Sequence, residues 1–340
     1  MKLINTRDAV GHVLCHDITR IIKDVVKDTP FRKGHIVTEE DIPVLLSLGK
    51  EHLYIWEKDE RMLHEDEAAE ILRSICQSAN MTASGPREGK IELYADCDGL
   101  FQIDVDRLDA VNEIGELMIA SRPGNTAVKK GDKVIGTRVI PLVIEKEKLE
   151  LARKTAGPEP LARVIPYQIR TAGIVTTGSE VFSGRIEDTF TPVVMEKLRA
   201  YGIETVSHFT VNDEKEHIVE AILATKEKGV DLILCTGGMS VDPDDRTPGA
   251  IRESGAQIVT YGAPVLPGAM LLLGYYEDGV PVLGLPGCVM YARATVFDLL
   301  LPRIAAGVKI SRKEIAHMGN GGLCLGCEAC HYPNCGFGRG

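Results

Sequence analysis

The sequence of 340 residues predicts an α/β fold whose main domain is a three-layer, mostly parallel sheet. Two observations predict this class. Between about residues 166 and 307, short β-branched runs alternate with stretches of helical period, which is typical of a parallel sheet covered by helices on both faces. Within this region the run DLILCTGG is continuously apolar, as expected of a strand buried on both of its faces.

The first elements of this domain follow from local patterns. RTAGIVTTG predicts a strand that ends at Gly178, and TPVVMEKLRAYG predicts a helix stopped by a glycine. IETVSHFTV predicts the next strand. DEKEHIVEAILATKEKG then predicts an amphipathic helix, for which Asp213 is the expected N-cap because a carboxylate there can accept a free amide.

The later elements complete the alternation. After the strand DLILCTGG, the segment TPGAIRESG predicts a short helix with Pro248 in its first turn, and AQIVTYGAPV predicts a strand. AMLLLGYYEDGVPVLGLPG predicts a hairpin that turns at Asp278-Gly279. A last helix is expected over about residues 289–306.

The rest of the chain divides into three further regions. Residues 1–58 are predicted as a small α+β unit that contains the helix EEDIPVLLSLG. Residues 59–165 are predicted as a β-rich region and linker, with a hairpin around Asp98-Gly99. Residues 308–340 are predicted as a cysteine-rich, metal-binding tail.

Charge and hydrophobicity argue against some classes of partner. The formal net charge is −10, whereas nucleic-acid backbones are bound by clustered Lys and Arg, so we expect no nucleic-acid partner. No run approaches the length of a membrane-spanning helix, and the N-terminus is too charged for a signal peptide. We therefore expect no membrane partner and a cytoplasmic location. An anionic ligand would have to be held by backbone amides and a few side chains.

Three polar loops that contain glycines follow strands of the predicted sheet, over residues 176–189, 236–247 and 284–287. In such sheets, ligands bind beyond the carboxyl ends of the strands, where neighbouring loops meet. Glycines let backbone amides approach an anion closely, which predicts a phosphate-bearing ligand, although a glycine after a strand also serves as a simple turn. Nearby carboxylates would repel a bare anion, so a divalent cation is expected beside Glu180, Asp188, Asp242, Asp244 and Asp245. For Asp188, capping of the next helix is an equal alternative.

These loops resemble those of the molybdopterin-binding domain shared by molybdenum cofactor biosynthesis proteins and the competence-damage-inducible family. The resemblance covers about residues 172–306. TGSEVFSGRIEDT resembles the first ligand loop of that family, and APVLPGAMLLLG and GLPG resemble the branch that inserts the metal, the molybdopterin molybdotransferases. The loop TGGMSVDPDDRT is a mosaic. Gly237, Gly238, Ser240 and Val241 resemble the metal-insertion branch, Asp245, Thr247 and the following Pro248 resemble the adenylyltransferase branch, and Asp244-Asp245 resembles the competence branch.

The resemblance implies a function and a set of site residues. It implies a transferase that binds molybdopterin, or its adenylylated form, together with Mg²⁺, and that inserts the metal. By analogy it also implies a homodimer and other molybdenum cofactor proteins as partners. The implied catalytic residues are Asp188, Asp242 and Asp245. The implied cofactor-binding residues are Thr177, Gly178, Ser179, Glu180, Thr236, Gly237, Gly238, Met239, Ser240, Pro267, Gly268, Pro286 and Gly287.

Two alternative functions remain open. A non-catalytic carrier or sensor of the cofactor is favoured by Ala269, because the metal-insertion branch commonly has a lysine there. It is also favoured by the absence of the Ser-Met-Asp-Gly-Tyr-Ala-type segment of that branch. A nucleotide pyrophosphatase resembling the competence-damage-inducible family is favoured by Asp244-Asp245.

The tail contains closely spaced cysteines that are typical of a metal site. Thiolates two residues apart can bind one ion, so the predicted ligands form a zinc site or an iron–sulfur cluster; they are Cys324, Cys327, Cys330 and Cys335. A zinc knuckle that uses His331 and a free redox-sensitive tail are the alternatives. We expect this tail to act independently of the ligand loops, because the connecting segment KISRKEIAHMGNGG is polar and flexible. The other cysteines are predicted to be core residues: Cys15, Cys76, Cys97, Cys235 and Cys288.

Overall fold

The computed structural model describes residues 2–22, 26–55, 60–240, 242 and 245–339. The chain forms two compact units. The first comprises Met1–Asp96, Ile103–Gly124 and Lys130–Val164, and the second comprises Cys97–Gln102, Asn125–Lys129 and Ile165–Gly340. The tail, which the sequence predicts as a region of its own, is therefore part of the second unit. No described helix is long and apolar enough to cross a membrane.

The first unit begins with two small antiparallel sheets and a helix. The elements are β1 (Lys2–Asn5), β2 (Ile18–Ile22), β3 (Val26–Phe31), α1 (Asp41–Ser47) and β4 (His52–Ile55). Strand β1 pairs with β4, and β2 pairs with β3. Leu14, Phe31, Leu45 and Leu53 pack together in the core of this segment.

The remainder of the first unit is built on a four-stranded antiparallel sheet in the order β6-β7-β11-β9. Helix α2 packs on this sheet, and a two-stranded ribbon joins β5 to β12. The elements are β5 (Met62–His64), α2 (Glu65–Cys76), β6 (Met81–Ala83), β7 (Lys90–Ala95), α3 (Val105–Asn112), β9 (Leu117–Ser121), β11 (Lys133–Val139), β12 (Val143–Glu145) and α4 (Lys146–Ala156).

The predicted hairpin around Asp98-Gly99 is wrong. Strand β7 pairs with β6 and β11, whereas β8 (Gly99–Ile103) pairs with β10 (Thr126–Val128) in a separate sheet completed by β13 (Ala162–Pro166). Gly99 permits this arrangement, since an added Cβ would lie 2.9 Å from the backbone carbon of Ile165. The turn sequence around Asp98-Gly99 does not predict that β7 and β8 pair with strands that are distant in the sequence.

The second unit contains a six-stranded sheet in the order β15-β14-β16-β19-β18-β17. The first four of these strands are parallel, and β18 runs antiparallel to both of its neighbours. The strands are β14 (Thr171–Thr177), β15 (Glu204–Val211), β16 (Leu232–Thr236), β17 (Gln257–Tyr261), β18 (Leu272–Tyr275) and β19 (Pro281–Leu285). The mostly parallel sheet and the hairpin at Asp278-Gly279 agree with the sequence prediction.

Helices cover both faces of this sheet. Ile174 packs in one buried cluster with residues of α6 and α9, while the next residue, Val175, packs in a second cluster with residues of α7 and α8. Alternate residues of a strand point to opposite faces, so two cores enclose one sheet. The helices are α5 (Ser179–Phe182), α6 (Phe190–Arg199), α7 (Lys215–Glu227), α8 (Thr247–Glu253), α9 (Val296–Ala305) and α10 (Arg312–His317).

Helix α9 begins later than predicted. A short 3₁₀ turn covers Gly287–Met290, and α9 starts at Val296 rather than near Val289. The start is set by a capping box, in which Thr295 Oγ1 accepts the Phe297 amide at 3.2 Å and the Asp298 carboxylate accepts the Thr295 amide at 2.8 Å. The residues between the 3₁₀ turn and α9 therefore form a longer third loop beside the sheet.

Candidate functional site

The three predicted loops leave one edge of the six-stranded sheet side by side. Thr176 of β14 is in register with Thr236 of β16, which is in register with Leu285 of β19. Because these strands are parallel, their carboxyl ends lie together. We call the following segments loop 1 (residues 178–189), loop 2 (237–246) and loop 3 (286–295). Together they form the candidate site.

The residues at the ends of loops 1 and 2 contact each other closely. Thr177 and Thr247 lie with their Oγ1 atoms 3.2 Å apart, and Thr247 Oγ1 donates to the carbonyl of Gly237 at 2.9 Å. Gly237 has φ +84°, and a Cβ added there would lie 2.7 Å from Thr177 Oγ1 and closer still to the Thr177 carbonyl. A Cβ on Gly238, at φ +55°, would lie 2.8 Å from Thr247 Oγ1. Both glycines are thus required by packing within the protein.

Gly178 and Gly287 differ from this pair because their Cβ directions are open. An added Cβ on Gly178 would meet only Val181 Cγ2, at 3.9 Å, and one on Gly287 would meet nothing within 4 Å. Gly287 is exposed, whereas the preceding Pro286 is buried. No contact within the described residues therefore accounts for the missing side chain at Gly287. The backbone of Gly178 is hydrogen-bonded within the protein, because its amide donates to the Val211 carbonyl at 3.2 Å and its carbonyl accepts the Phe182 amide at 2.9 Å.

Asp188 caps helix α6, as one of the two sequence interpretations proposed. Its Oδ1 accepts the amides of Phe190 and Thr191 at 3.0 and 2.9 Å. Burial of this carboxyl acts to raise its pKa, but the hydrogen bonds from Thr191 and Phe190 and the nearby His208 outweigh that effect and hold the pKa below its usual value. Asp188 is therefore an ionised cap, and its other carboxylate oxygen, Oδ2, accepts the Thr176 hydroxyl at 3.4 Å.

Asp242 and Asp245 of loop 2 are hydrogen-bonded to each other. The Asp242 amide donates to Asp245 Oδ2 at 3.3 Å, and the Asp245 amide donates to the Asp242 carbonyl at 2.9 Å. Asp242 is exposed and Asp245 is half-buried, while Asp244 and Val241 lie outside the described residues. Among the residues that the structure describes, no three His, Cys, Asp or Glu side chains converge closely enough to hold a metal ion. The pair therefore offers at most a partial set of ligands.

Asp213 holds loop 1 and does not cap α7. Its Oδ2 accepts the Ser179 amide at 2.8 Å, whereas α7 begins after Glu214 without a side-chain cap. The predicted cap is wrong because the carboxylate meets a distant amide before a local one. Ser179 and Glu180 themselves are exposed, and they form the start of the short helix α5.

Pro267 and Gly268 lie at the same edge, just before β18, and support helix α9. The Pro267 carbonyl accepts the Val296 amide at 3.2 Å, and a Cβ added to Gly268 would lie 2.6 Å from Val296 Cγ1. Packing against α9 thus explains this glycine too. Of the remaining predicted residues, Thr236 and Met239 are buried and Ser240 is exposed.

A hydroxyl network beneath the loops was not predicted. Thr176 Oγ1 lies 2.9 Å from Thr191 Oγ1 and 3.0 Å from His208 Nε2, and the His208 ring lies 3.7 Å from the Asp188 carboxylate. These contacts join β14, β15 and the start of α6. The signal in the sequence is the polar content of strands that are otherwise apolar, but the convergence of these polar side chains depends on the sheet order.

Tyr261 is a second residue that the sequence does not predict at this edge. Its hydroxyl donates to the carbonyls of Met239 and Ser240 at 3.1 and 3.2 Å.

The tail cysteines lie against this unit on a folded segment. Helix α10 starts with a capping box at Ser311, and its Ile315 is buried in the core that also contains Phe297. The expected flexible connection to the tail is therefore wrong. None of the cysteines forms a disulfide, and the exposed ones are both in the tail: Cys327 and Cys330. Cys15, Cys76 and Cys235 are buried, as predicted, and Cys97 and Cys288 are partly buried.

Comparisons with known proteins find relatives of the region that contains the three loops. Residues 173–306 match the family model described as a probable molybdopterin binding domain, and residues 3–57 match a domain of unknown function. A CinA-like protein of Mycobacterium avium (strain 104) is 38% identical over 90 residues, which are 26% of this chain and 20% of that protein. A CinA-like protein of Mycolicibacterium gilvum is 40% identical over 77 residues, which are 22% of this chain and 18% of that protein. The matched region thus spans about a fifth of these relatives.

Solved structures of similar sequence include the molybdopterin biosynthesis enzyme MoaB from Thermus thermophilus. It is 28% identical, with a TM-score of 0.36, and the match covers 40% of this chain and 91% of that one. The protein CinA from Thermoplasma acidophilum is 18% identical, with a TM-score of 0.35. The match covers 40% of this chain and 98% of that one. The resemblance inferred from the loop motifs is confirmed by the family match, in which residues 173–306 match the model described as a probable molybdopterin binding domain.

Proposed function

We propose that the edge formed by loops 1 to 3 binds a molybdopterin-type ligand, and that the protein is a molybdotransferase-like enzyme that inserts metal into adenylylated molybdopterin. The observation that carries this proposal is the family match of residues 173–306, which contain all three loops. The loops converge in register at one sheet edge, where open α/β sheets bind their ligands. The exposed Gly287, whose Cβ direction is open, supports a phosphate position beside loop 3.

The carboxylates of loop 2 suit a metal that is shared with the ligand. Mg²⁺ is usually held by one or two carboxylates together with substrate phosphates and water, so a complete protein cage is not required. The adjacent pair Asp242 and Asp245 matches that mode. We propose that they hold Mg²⁺ against the ligand phosphates, where the ion would neutralise charge and orient an attacking water. Asp188 would act indirectly, by fixing the start of α6 beside loop 1.

Exposed apolar side chains flank this edge. Phe182 and Ile186 on loop 1 and Tyr291 on loop 3 are each more than half exposed. Met290 joins these two loops, because the Thr189 hydroxyl lies 3.1 Å from its sulfur. Ligand sites combine an apolar lining with a few placed polar groups, so these side chains are suited to contact a flat pterin ring.

Two other functions have a specific observation in their favour. A non-catalytic carrier is supported by Ala269, because no lysine stands at this position to contact an anion. A nucleotide pyrophosphatase is supported by the CinA-like proteins, which are 38% identical over 90 residues.

One assay separates the three functions. The full chain, purified anaerobically, is mixed with adenylylated molybdopterin, Mg²⁺ and molybdate, and AMP release and cofactor formation are followed. Metal insertion requires both products. Tight binding without AMP release supports the carrier, and hydrolysis of ADP-ribose supports the pyrophosphatase. Absence of binding to any pterin ligand would refute the proposed site.

A further inference from the structure

The four tail cysteines line a single cavity. It has a volume of about 450 Å³, and its wall includes Cys324, Cys327, Cys330 and Cys335. Other tail residues contribute to the wall, together with Pro267 and residues 292–294 of loop 3. Side chains separated by up to eleven positions in the sequence thus face one space. This arrangement requires that the tail be folded back on the domain.

Backbone pairing holds the tail in that position. The Cys324 amide donates to the Leu266 carbonyl at 2.8 Å, and the Leu266 amide donates to the Gly322 carbonyl at 2.8 Å. These bonds extend the edge of the domain by one short bridge between Leu266 and Leu323. The first cysteine is therefore tied directly to the segment that precedes Pro267.

Packing fixes the far end of the tail as well. Tyr332 donates through its hydroxyl to the Asp298 carbonyl at 2.9 Å, and Phe337 is buried in the main core. Gly338 has φ +74°, and a Cβ there would lie 2.9 Å from Leu299 Cδ1, so the chain passes directly over α9. The residues that bear the thiols are thus held at both ends by contacts that do not involve a metal.

The four cysteines line a space, and their thiols do not converge on one point. A tetrahedral zinc site draws its sulfurs to about 2.3 Å from the ion, which leaves no cavity between them. Within the described chain, no three potential ligands are close enough for a single ion. Iron–sulfur clusters are also held by four thiolates, but they place several inorganic atoms between those ligands. A cavity that four cysteines line matches the second geometry.

The lining of the cavity suits an anionic group. Apart from the cysteines it consists mainly of apolar and backbone surface, including Leu323, Leu325 and Phe337. Among the described residues that line it, Arg293 is the one with a permanent charge. Its positive charge offsets the negative charge that four thiolates bring to a cluster.

From this geometry we propose that Cys324, Cys327, Cys330 and Cys335 hold a [4Fe–4S] cluster in the tail cavity. The proposal does not rest on the pterin function, because the cavity and its ligands are complete without a pterin. The tail cavity and the candidate site of loops 1 to 3 are nevertheless adjacent, since Pro267 and loop 3 form part of both. A cluster at this position would stiffen loop 3.

The test measures iron and acid-labile sulfide in the full chain, purified anaerobically and reconstituted with ferrous iron and sulfide. We expect about four of each per chain, together with visible charge-transfer absorption that bleaches on reduction with dithionite. Cys327→Ala and Cys330→Ala should each lose most of the iron and sulfide. Because both cysteines are exposed, these variants should fold normally. Cys97→Ala is the matched control, since Cys97 is also partly exposed but does not line the cavity.

Three results would overturn the proposal. The first is stoichiometric zinc in the freshly purified chain with no uptake of iron and sulfide. The second is iron and sulfide content that survives both tail substitutions, or that falls equally in the Cys97 control. The third is a chain that binds neither metal, which would identify the thiols as free. None of these readouts depends on pterin binding, so failure here leaves the proposed function to be judged by its own assay.

Discussion

The candidate site contains glycines whose Cβ direction is crowded and glycines whose Cβ direction is open, and one of each provides a matched pair of substitutions. Gly237→Ala places a Cβ 2.7 Å from Thr177 Oγ1 and nearer still to the Thr177 carbonyl, in a backbone conformation with φ +84°. Gly287→Ala places a Cβ where no atom lies within 4 Å, and its φ is not positive. The first substitution should therefore damage folding, whereas the second should affect only what binds at the edge.

The cost of Gly237→Ala can be estimated from two effects. A non-glycine residue in the left-handed region costs about 1–2 kcal/mol. Overpacking against a backbone carbonyl that cannot easily move adds about 1–3 kcal/mol. A total of about 3 kcal/mol corresponds to a fall in Tm of roughly 6–12 °C for a domain of this size. For Gly287→Ala we expect no change in Tm beyond about 1 °C by the same relation.

The assay combines thermal unfolding with titration of adenylylated molybdopterin. If the Gly287 backbone contacts the ligand, Gly287→Ala should weaken binding by about tenfold, which corresponds to about 1.4 kcal/mol. A wild-type Tm for Gly237→Ala would refute the packing argument for loops 1 and 2. Unchanged affinity for Gly287→Ala would refute the ligand contact at loop 3, while the packing argument would remain.

The other predictions concern two aspartates. Asp245→Asn should lower Mg²⁺-dependent turnover by about a hundredfold with little change in Tm, because charge is removed at nearly constant volume. The control is Asp278→Asn, in the turn between β18 and β19. Equal losses of turnover in both variants would contradict the role of Asp245 in holding Mg²⁺. Asp188→Ala should lower stability by about 1 kcal/mol through loss of the α6 cap. Since the folded pKa of Asp188 is depressed, its contribution is present above the unfolded pKa of about 3.9 and is lost as pH falls through the folded value. The stability difference between Asp188→Ala and wild type, measured by unfolding, should therefore shrink in acid; a constant difference from about pH 7 to about pH 2 would contradict this.

The order of strands and helices in the second unit could be predicted because its causes are local. Continuous apolar runs such as Leu232–Thr236 mark strands buried on both faces, and the intervening helical periods exclude a simple meander. The parallel sheet then places the three loops at one edge without further information. Two predictions from local patterns were wrong. The hairpin at Asp98-Gly99 does not form because its two strands pair with other strands, and α9 starts later than predicted because Thr295 caps it.

The sequence by itself thus determined the class of fold, the three loops and the cysteine set, since each depends on residues within one short segment. Only the tertiary structure decided what the individual residues do. Gly237 and Gly287 look alike in the sequence, but only Gly237 meets Thr177, about sixty residues away. Asp213 holds Ser179 rather than its own helix, and the tail is docked on the domain. These roles arise from contacts between distant segments, and such contacts exist only after the chain has folded, so no local pattern encodes them.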